Sequence, residues 1–346
     1  MDYSFFLQPL FSSFIIAGLM LAGFIILAKK IKISDKRISK RHIHGGGVSR
    51  FGGVAIIVSF VIVIILDERL VVTTPLVGVL LASLAILFFG VIDDIRQLSW
   101  KYQLFFQLAV VTLVYFMGVK LQYVSNPLGG LFFFDSGLAY LLGLLISIIW
   151  IVFLMNVMNW VDGVDGVSGG ITLIAAIAIL VLSQKPEVNQ PPIGIIAAAL
   201  IGGLIIFLIY NFHPARIIAG TSGSMFMGFI LAILAIFSGA KIATTLMVLA
   251  VPIVDALWVI AERLQFKKSI FAADRRHLHY RLLELGWSAK KICLFYYLIT
   301  AIIAVLALNM RAMGKITTMA IVAAALIAIL AMIAKKLDRK EECNIV

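Results

Sequence analysis

Charged residues are scarce in this chain of 346 residues, and so are cysteines. Only 13% of the residues are charged and 62% are hydrophobic, with a mean hydropathy of +1.10. Soluble domains carry about 25% charged residues, so a surface that faces water on all sides is excluded, and so is a disordered chain. The two cysteines, Cys293 and Cys343, are too few for a disulfide framework or a zinc cluster.

Two nucleotide-binding motifs are also missing. The sequence has no G-x-x-x-x-G-K-[ST] phosphate loop and no G-x-G-x-x-G dinucleotide fingerprint. Neither ATP hydrolysis nor a dinucleotide cofactor is therefore indicated.

Long apolar runs are abundant, and many approach the roughly 20 residues that cross a bilayer as a helix. They predict an all-α polytopic integral membrane protein with about 10–11 transmembrane helices, built as a single transmembrane domain over residues 1–346. The expected spans are 5–28, 51–66, 71–92, 102–118, 138–158, 170–183, 193–210, 224–238, 242–261, 292–308 and 316–334.

The distribution of Lys and Arg predicts the orientation, because basic residues are retained on the cytoplasmic side. Of the 29 basic residues, 23 fall in one alternating set of connections and the C-terminal tail, and 6 fall in the other set. The amino terminus is therefore expected outside and the carboxyl terminus in the cytoplasm. This bias and anionic membrane lipids account for the net charge of +12, so no nucleic-acid partner is expected. The expected cytoplasmic loops are 29–50, 93–101, 159–169, 211–223 and 262–291.

The polar residues that could carry chemistry lie at the cytoplasmic ends of the expected spans. Carboxylates placed there avoid most of the cost of a charge at the bilayer centre, which is about 2.5–3.5 kcal/mol. We therefore expect a shallow cytoplasmic cleft that faces a water-soluble substrate.

Asp93 and Asp94 end the third span in the sequence GVIDDIRQLSWK. Adjacent carboxylates at a membrane interface repel one another and are partly desolvated, so the pair is costly without a counter-ion. A divalent cation would resolve this cost. The alternative is a solvated helix end that is paired with Arg96 or Lys101.

The segment 156–170, NVMNWVDGVDGVSGG, is the most specific stretch of the chain. Two amides and two carboxylates lie within ten residues, and a glycine after each carboxylate lets the backbone approach a bulky anion. Such a loop suits magnesium with phosphate oxygens, since Mg²⁺ takes one or two carboxylates and completes its shell with water and substrate. A calcium EF-hand is excluded because Gly163 and Gly166 interrupt its ligand spacing. The alternative is a purely structural turn.

Further charged residues stand apart from these two motifs. The segment 271–285, FAADRRHLHYRLLEL, carries Arg and His donors that could clamp a diphosphate or form a basic belt on lipid head groups. Arg50, beside the glycines of loop 29–50, could supply another anion contact. Asp255 lies inside the ninth span, seven residues before Glu262 on nearly the same helical face. A salt bridge between helices and a catalytic role are both compatible with that position.

Together these segments resemble the polyprenyl-phosphate N-acetylhexosamine-1-phosphate transferase family over nearly the whole chain. The motifs that carry the resemblance are RHIHGGGVSRFGG, GVIDDIRQLSWK, NVMNWVDGVDGVSGG, NFHPARIIAGTSGS, PIVDALW and DRRHLHYRLLELG. The alternating His277 and His279 are closer to the N-acetylglucosamine-1-phosphate branch than to the muramoyl-pentapeptide branch, which favours three successive histidines.

The resemblance implies a phosphoglycosyl transferase that moves an N-acetylhexosamine 1-phosphate, first of all GlcNAc-1-phosphate, from a UDP-sugar to undecaprenyl phosphate and releases UMP. It implies Mg²⁺ as cofactor, with Mn²⁺ as a substitute, and a place in the bacterial cytoplasmic membrane. Synthesis of lipid-linked cell-envelope glycans, such as teichoic acid or lipopolysaccharide, is the expected pathway class. Membrane lipids and a second copy in a homodimer are the further expected partners.

Roles for single residues follow from the motifs and the resemblance together. Asp93, Asp94 and Asp165 are the expected catalytic residues, and Asp165 and Asp94 are the expected metal ligands. The expected substrate-binding residues are Arg50, Lys101, Asn156, Asn159, Asp162, Asn211, Ser224, Arg275, Arg276, His277 and His279.

Three positions depart from the family's pattern. Thr221 stands where the motif GDxGS has a carboxylate that is expected to bind magnesium, Gln103 stands where Lys is frequent, and Tyr280 stands where His is expected. A hydroxyl is a poor substitute for a carboxylate, so Thr221→Asp is predicted to raise Mg²⁺-dependent transfer. Because of Thr221, a second interpretation stays open, in which the protein is a catalytically silent relative that binds UDP-sugar or lipid phosphate. A transporter of lipid-linked sugars is disfavoured, because transporters place their contacts near the midplane.

Overall fold

The computed structural model describes residues 3–31, 48–125, 130–239, 242–267, 269 and 276–345. Arg275 and most of loop 29–50 therefore lie outside the described residues. A short 3₁₀ helix, Tyr3–Phe6, precedes the α-helices. These are α1 (Leu7–Ile31), α2 (Gly52–Leu66), α3 (Thr74–Arg96), α4 (Trp100–Phe116), α5 (Gly137–Val161), α6 (Val167–Ser183), α7 (Pro191–Asn211), α8 (Gly220–Phe237), α9 (Ile242–Val248), α10 (Ala250–Gln265), α11 (Leu278–Glu284), α12 (Ala289–Asn309) and α13 (Ala312–Ile345).

The all-α polytopic membrane class is confirmed, and each of the eleven expected segments coincides with helix. Within the described residues, seven helices are long and apolar enough to cross a membrane, or eight if one bent pair counts as a span. Helices α2 and α6 are apolar but have only 15 and 17 residues. At 1.5 Å per residue they are shorter than the ~30 Å hydrocarbon core.

The ninth expected span, 242–261, is not continuous. Helices α9 and α10 meet at an angle of 78° around Leu249. Pro252 lies in the first turn of α10, and proline has no N–H to donate to the carbonyl four residues earlier. The apolar composition of the segment hides this break, because both halves are hydrophobic.

Helix α8 forms the centre of the bundle and is buried from Ser222 to Ile236. It packs against α2, α3, α5 and α6, while α1 and α2 pack on α7. Helices α1, α5 and α13 instead leave large apolar side chains exposed, as a lipid-facing surface requires. The core therefore lies between α8 and its neighbours, and α8 begins at the polar end described below.

One short antiparallel hairpin interrupts the helical pattern between α4 and α5. Strands β1 (Tyr123–Ser125) and β2 (Leu131–Phe133) pair with Tyr123 opposite Phe133. The apolar pattern of the sequence does not predict this hairpin, because three-residue strands are too short to produce a periodic signal. The hairpin follows the end of α4 that is remote from the polar cluster.

Candidate functional site

Asp93, at the end of α3, is 5% exposed and accepts hydrogen bonds from three uncharged groups. They are the Leu98 backbone N–H at 3.0 Å, the Gln103 side-chain amide at 3.0 Å and the Thr221 hydroxyl at 2.7 Å. The sequence left open a solvated helix end paired with Arg96 or Lys101. Both of these side chains are exposed, and Lys101 Nζ lies 5.9 Å from the centroid of the Trp100 ring instead.

Asp94 faces the start of α8. The Thr221 backbone N–H donates to both of its carboxylate oxygens at 3.0 Å, and Arg50 Nη1 lies 3.7 Å from Oδ1. Gly220 permits this approach, since its φ is +69° and a Cβ there would lie 2.4 Å from Asp94 Oδ2. The sequence predicts an anion contact for Arg50, and the structure places Arg50 beside the acidic pair.

Thr221 therefore contacts both carboxylates, through its hydroxyl to Asp93 and through its backbone to Asp94. From the sequence, Thr221 is expected only to replace a carboxylate that would bind magnesium. In the structure it supplies two donors, which partly offset the repulsion between the neighbouring carboxylates.

The ends of α5 and α6 bring the amides and Asp162 beside α8. Ser224 Oγ donates to Asn159 Oδ1 at 2.9 Å, and Ser168 Oγ donates to Asp162 Oδ1. Asn156 lies one turn further into α5, where its amide donates to Gln107 Oε1 at 2.7 Å. Asn159 and Asp162 are thus anchored to neighbouring helices, and both remain partly exposed.

Asp165 is buried, with 4% of its surface exposed, and its Oδ2 meets the chain that follows α7. That oxygen lies 2.7 Å from His213 Nδ1 and accepts a hydrogen bond from the Ala215 N–H at 3.1 Å. Asn211 fixes the same turn, because its Oδ1 accepts from the Gly166 N–H at 2.9 Å and its amide donates to the Ile217 carbonyl at 2.9 Å. Asn211 thus serves the backbone of the loop.

His277 and His279 occupy different environments within the basic segment. His277 Nδ1 lies 2.9 Å from Asp255 Oδ2, while the ring of His279 is fully buried and parallel to that of His277, with centroids 5.8 Å apart. Burial, and secondarily the neighbouring His277, lowers the pKa of His279 to about 3, so this ring is neutral at pH 7. Gly163 passes directly over it, since a Cβ there would lie 2.4 Å from His279 Nε2.

Asp255 and Glu262 both contact the segment that contains α11. Glu262 Oε2 lies 2.5 Å from Arg281 Nη2, and Arg281 Nε donates to the Arg276 carbonyl at 2.5 Å. Of the two roles considered for Asp255, a contact between elements is present, through His277 Nδ1 and the Leu278 N–H. Arg276 lies over the Phe266 ring, 5.4 Å from its centroid, and Arg275 is outside the described residues.

The structure brings most of the expected residues to one end of the bundle, where α3, α5 and α7 end and α4, α6 and α8 begin. The contacts that link these ends are Asp94 with Thr221, Asn159 with Ser224, and Asp165 with the residues after Asn211. Lys101 is not drawn into the cluster. From the sequence, no role is assigned to His213. This residue lies in the polar segment NFHPAR, which is expected on the same side of the membrane as the acidic loop, and that position is a signal for a role in the site.

The carboxylate oxygens of this cluster suit a metal ion that is held only partly by protein ligands. Among the described residues, no three or more His, Cys, Asp or Glu side chains are grouped closely enough to form a metal cage. Mg²⁺ is usually bound by one or two carboxylates, with water and substrate phosphate in the remaining positions. A site of that kind needs only one or two carboxylates, and Asp94 and Asp165 are the two that the sequence predicts for it.

The fold and the cluster define a polytopic membrane protein with a carboxylate-rich site at one end of its bundle. The sequence profile of glycosyl transferase family 4 matches residues 76–239, which include the acidic pair and the loop around Asp165. A probable undecaprenyl-phosphate N-acetylglucosaminyl 1-phosphate transferase of Bacillus subtilis is 30% identical over 293 residues, 82% of this chain and 79% of the relative.

Two further relatives are also named as transferases. A decaprenyl-phosphate N-acetylglucosaminephosphotransferase of Mycobacterium tuberculosis is 30% identical over 297 residues, 77% of this chain and 72% of the relative. A phospho-N-acetylmuramoyl-pentapeptide-transferase of Halalkalibacterium halodurans is 28% identical over 330 residues, 88% of this chain and 97% of the relative. The chain belongs to glycosyl transferase family 4, and the resemblance drawn from its motifs is confirmed.

Proposed function

We propose that the protein transfers an N-acetylhexosamine 1-phosphate, first of all GlcNAc-1-phosphate, from a UDP-sugar to undecaprenyl phosphate and releases UMP. The observation that carries this proposal is the cluster of Asp93, Asp94 and Thr221 beside the loop of Asp162 and Asp165 at one end of the bundle. The relatives named for polyprenyl-phosphate N-acetylglucosamine-phosphate transfer support the choice of substrates.

The proposed reaction is a single displacement. An oxygen of the acceptor phosphate forms a bond to the sugar-bearing phosphorus, and the bond from that phosphorus to UMP breaks. The second pKa of a phosphate monoester is about 6, so the acceptor is mostly dianionic at pH 7 and hardly needs a base. Asp93 already accepts three hydrogen bonds, which favours a role in organising the site over a role in taking a proton.

Asp94 and Asp165 are the residues we propose to hold Mg²⁺, or Mn²⁺ in its place. The ion would neutralise negative charge where two phosphate-bearing molecules meet. Asn159 and Asp162 are proposed to line the nucleotide-sugar site, together with Ser224. Arg276, with Arg275 outside the described residues, is proposed to contact the diphosphate, and His277 is proposed to bind the nucleotide sugar beside it. Arg50, Lys101 and Asn156 are proposed as outer substrate contacts, Asn211 and His279 as supports of the acidic loop.

We propose a bacterial cytoplasmic membrane as the location, with the site and the carboxyl terminus on the cytoplasmic side. The excess of basic residues in the connections at this end supports that orientation. A scan of single cysteines with a membrane-impermeant thiol reagent tests it. Labelling of Arg276→Cys and Lys120→Cys from the same side would contradict the orientation. A homodimer is also proposed, on the family resemblance alone.

The direct test is release of UMP by the purified full-length protein supplied with UDP-GlcNAc, undecaprenyl phosphate and Mg²⁺. A panel of UDP-sugars under the same conditions identifies the preferred donor. Asp67→Asn is the matched control for Asp94→Asn, since both remove a buried carboxylate and only one lies in the cluster. Thr221 specifically favours the second candidate, a silent relative, and substrate binding without any release of UMP would establish that candidate.

A further inference from the structure

Asp255 makes two contacts with the start of the basic segment. It is 2% exposed, and its Oδ2 lies 2.9 Å from His277 Nδ1. Its Oδ1 accepts a hydrogen bond from the Leu278 backbone N–H at 2.7 Å. Both oxygens are therefore engaged by adjacent residues, which fixes the rotation of the carboxylate and the position of the histidine ring beside it.

This contact determines which nitrogen of His277 is left for another partner. A carboxylate only accepts hydrogen bonds, so His277 Nδ1 carries a hydrogen. Within the described part of the chain, His277 Nε2 makes no hydrogen bond. The ring stacks with His279 and lies 6.0 Å, centroid to centroid, from Trp160, so it is held on its faces as well as at Nδ1.

We infer that Asp255 is a positioning residue for the transfer reaction: it fixes the tautomer and orientation of His277 so that Nε2, which carries no hydrogen, accepts a hydrogen bond from a hydroxyl group of the nucleotide sugar. The inference rests on the proposed function. A carboxylate that orients a metal-binding histidine in this way typically contributes about 10–100-fold to metal affinity or activity, and we expect an effect of the same size for the orientation of His277.

Glu262 offers a matched comparison on the same helix. It accepts a hydrogen bond from Trp258 Nε1 at 2.8 Å and pairs with Arg281 Nη2 at 2.5 Å. Like Asp255, it ties the segment around α11 to α10, but it does not contact His277. Loss of either carboxylate therefore weakens the attachment of the segment, and only loss of Asp255 releases the histidine.

The test compares Asp255→Asn with Glu262→Gln in the full-length protein. The new amide still accepts from the Leu278 N–H, but its Nδ2 presents hydrogens to His277 Nδ1 and moves the ring proton to Nε2. We expect kcat for UMP release to fall about 10–100-fold in Asp255→Asn, with the KM for undecaprenyl phosphate unchanged. Glu262→Gln is expected to lower the thermal midpoint about as much as Asp255→Asn does. Its kcat is expected to stay close to that of the unmodified protein.

A double-mutant cycle then separates positioning from support of the fold. In a His277→Gln background, measured by single turnover with excess enzyme, Asp255→Asn is expected to cause no further loss. Additive losses would overturn the inference, because Asp255 would then act independently of His277. Asp255→Glu retains an accepting carboxylate and is expected to keep more activity than Asp255→Asn, and the reverse order would also overturn it.

Failure of the proposed function and failure of the role of Asp255 give different results in this experiment. If the unmodified protein releases no UMP from any UDP-sugar of the panel, the proposed function is wrong. If the unmodified protein is active while Asp255→Asn and Glu262→Gln have the same kcat, the proposed function stands and the role of Asp255 is wrong.

Discussion

Two buried carboxylates, one near each end of the bundle, are held by different kinds of donor. Asp67, which follows α2, accepts hydrogen bonds from Arg69 Nε at 2.8 Å, Arg69 Nη2 at 2.5 Å and the Arg69 backbone N–H at 3.1 Å. Asp93, at the end of α3, accepts hydrogen bonds from a backbone N–H, an amide and a hydroxyl, all uncharged. Asp67 is neutralised where it stands, whereas the donors of Asp93 leave its charge in place.

The two sites also differ in how far apart their parts lie in the sequence. The partner of Asp67 is two residues away, while Thr221 is 128 residues from Asp93. A local ion pair stabilises its loop and has little electrostatic field left for a ligand. A carboxylate assembled among neutral donors from several helices is costly to bury, and a bound cation or a basic group recovers that cost.

The strongest way to break this comparison is to neutralise one carboxylate at each end. Asp94→Asn is expected to reduce UMP release by at least about 100-fold, because it removes a proposed ligand of the Mg²⁺ that would neutralise charge where the phosphates meet. Asp67→Asn is expected to leave the rate of UMP release unchanged. Initial rates at saturating substrate, with thermal midpoints of both variants in the same detergent, provide the measurement.

Equal rate losses in these two variants would mean that the acidic pair acts only through the stability of the fold. The comparison between the ends of the bundle would then have no functional content. A normal rate of UMP release in Asp94→Asn would show that transfer does not depend on Asp94 as a metal ligand.

Thr221→Asp sharpens the comparison by adding a carboxylate to the cluster. In place of the hydroxyl 2.7 Å from Asp93 Oδ2, it puts a like charge, so the thermal midpoint in EDTA is expected to fall. A divalent ion would bridge the new carboxylate and its neighbours, and we expect the apparent Mg²⁺ affinity and the Mg²⁺-dependent transfer to rise about 10-fold.

Thr221→Asn has nearly the same shape as Thr221→Asp but no charge, and it serves as the control. The difference between the midpoints in EDTA and in Mg²⁺ should grow only in the Asp variant. Identical Mg²⁺ dependence in the two variants would show that position 221 is not near a bound cation.

Much of the fold could be predicted because the bilayer imposes a simple rule on composition. Eleven apolar runs coincide with helices, since backbone polar groups in lipid must be paired within the segment. The break at Leu249 was missed because hydropathy averages over a window and does not register the N–H that Pro252 lacks. Hydropathy alone does not separate full spans from shorter helices, because α2 and α6 are apolar as well as the seven longer helices of the described residues.

The candidate site was predictable as a set of residues and not as a set of contacts. Carboxylates beside glycines identified the loop of Asp162 and Asp165 from the sequence alone. The partnership of Asp165 with His213 and that of Asp255 with His277 join residues 48 and 22 positions apart. Such pairs depend on how helix ends meet in space, which a single sequence with no periodic signal does not reveal.

The pH dependence of the Asp67 pair should differ from that of the cluster. Hydrogen bonds from Arg69 lower the pKa of Asp67, so the pair stabilises the fold above the unfolded value of about 4 and loses this contribution as the pH falls through the folded value. At pH 7, Asp67→Asn is expected to cost about 1 kcal/mol, because Arg69 is partly exposed to solvent. Thermal midpoints at descending pH should therefore converge for the two proteins. A gap that stays constant into acid would show that the pair contributes by shape and not by charge.

Tyr297→Phe is expected to have the smallest effect, since it removes a contact to the backbone of the acidic loop and no charge. The Tyr297 hydroxyl donates to the Gly166 carbonyl at 2.6 Å, while Asn211 still holds the Gly166 N–H in the variant. Loss of one such hydrogen bond costs about 1 kcal/mol, which corresponds to less than a tenfold change in the rate of UMP release. Tyr297→Leu, which also removes the ring that packs against Gly170, should lower the thermal midpoint further. A loss in Tyr297→Phe as large as that in Asp94→Asn would instead require the hydroxyl to contact the reacting groups, and the site would then extend to α12.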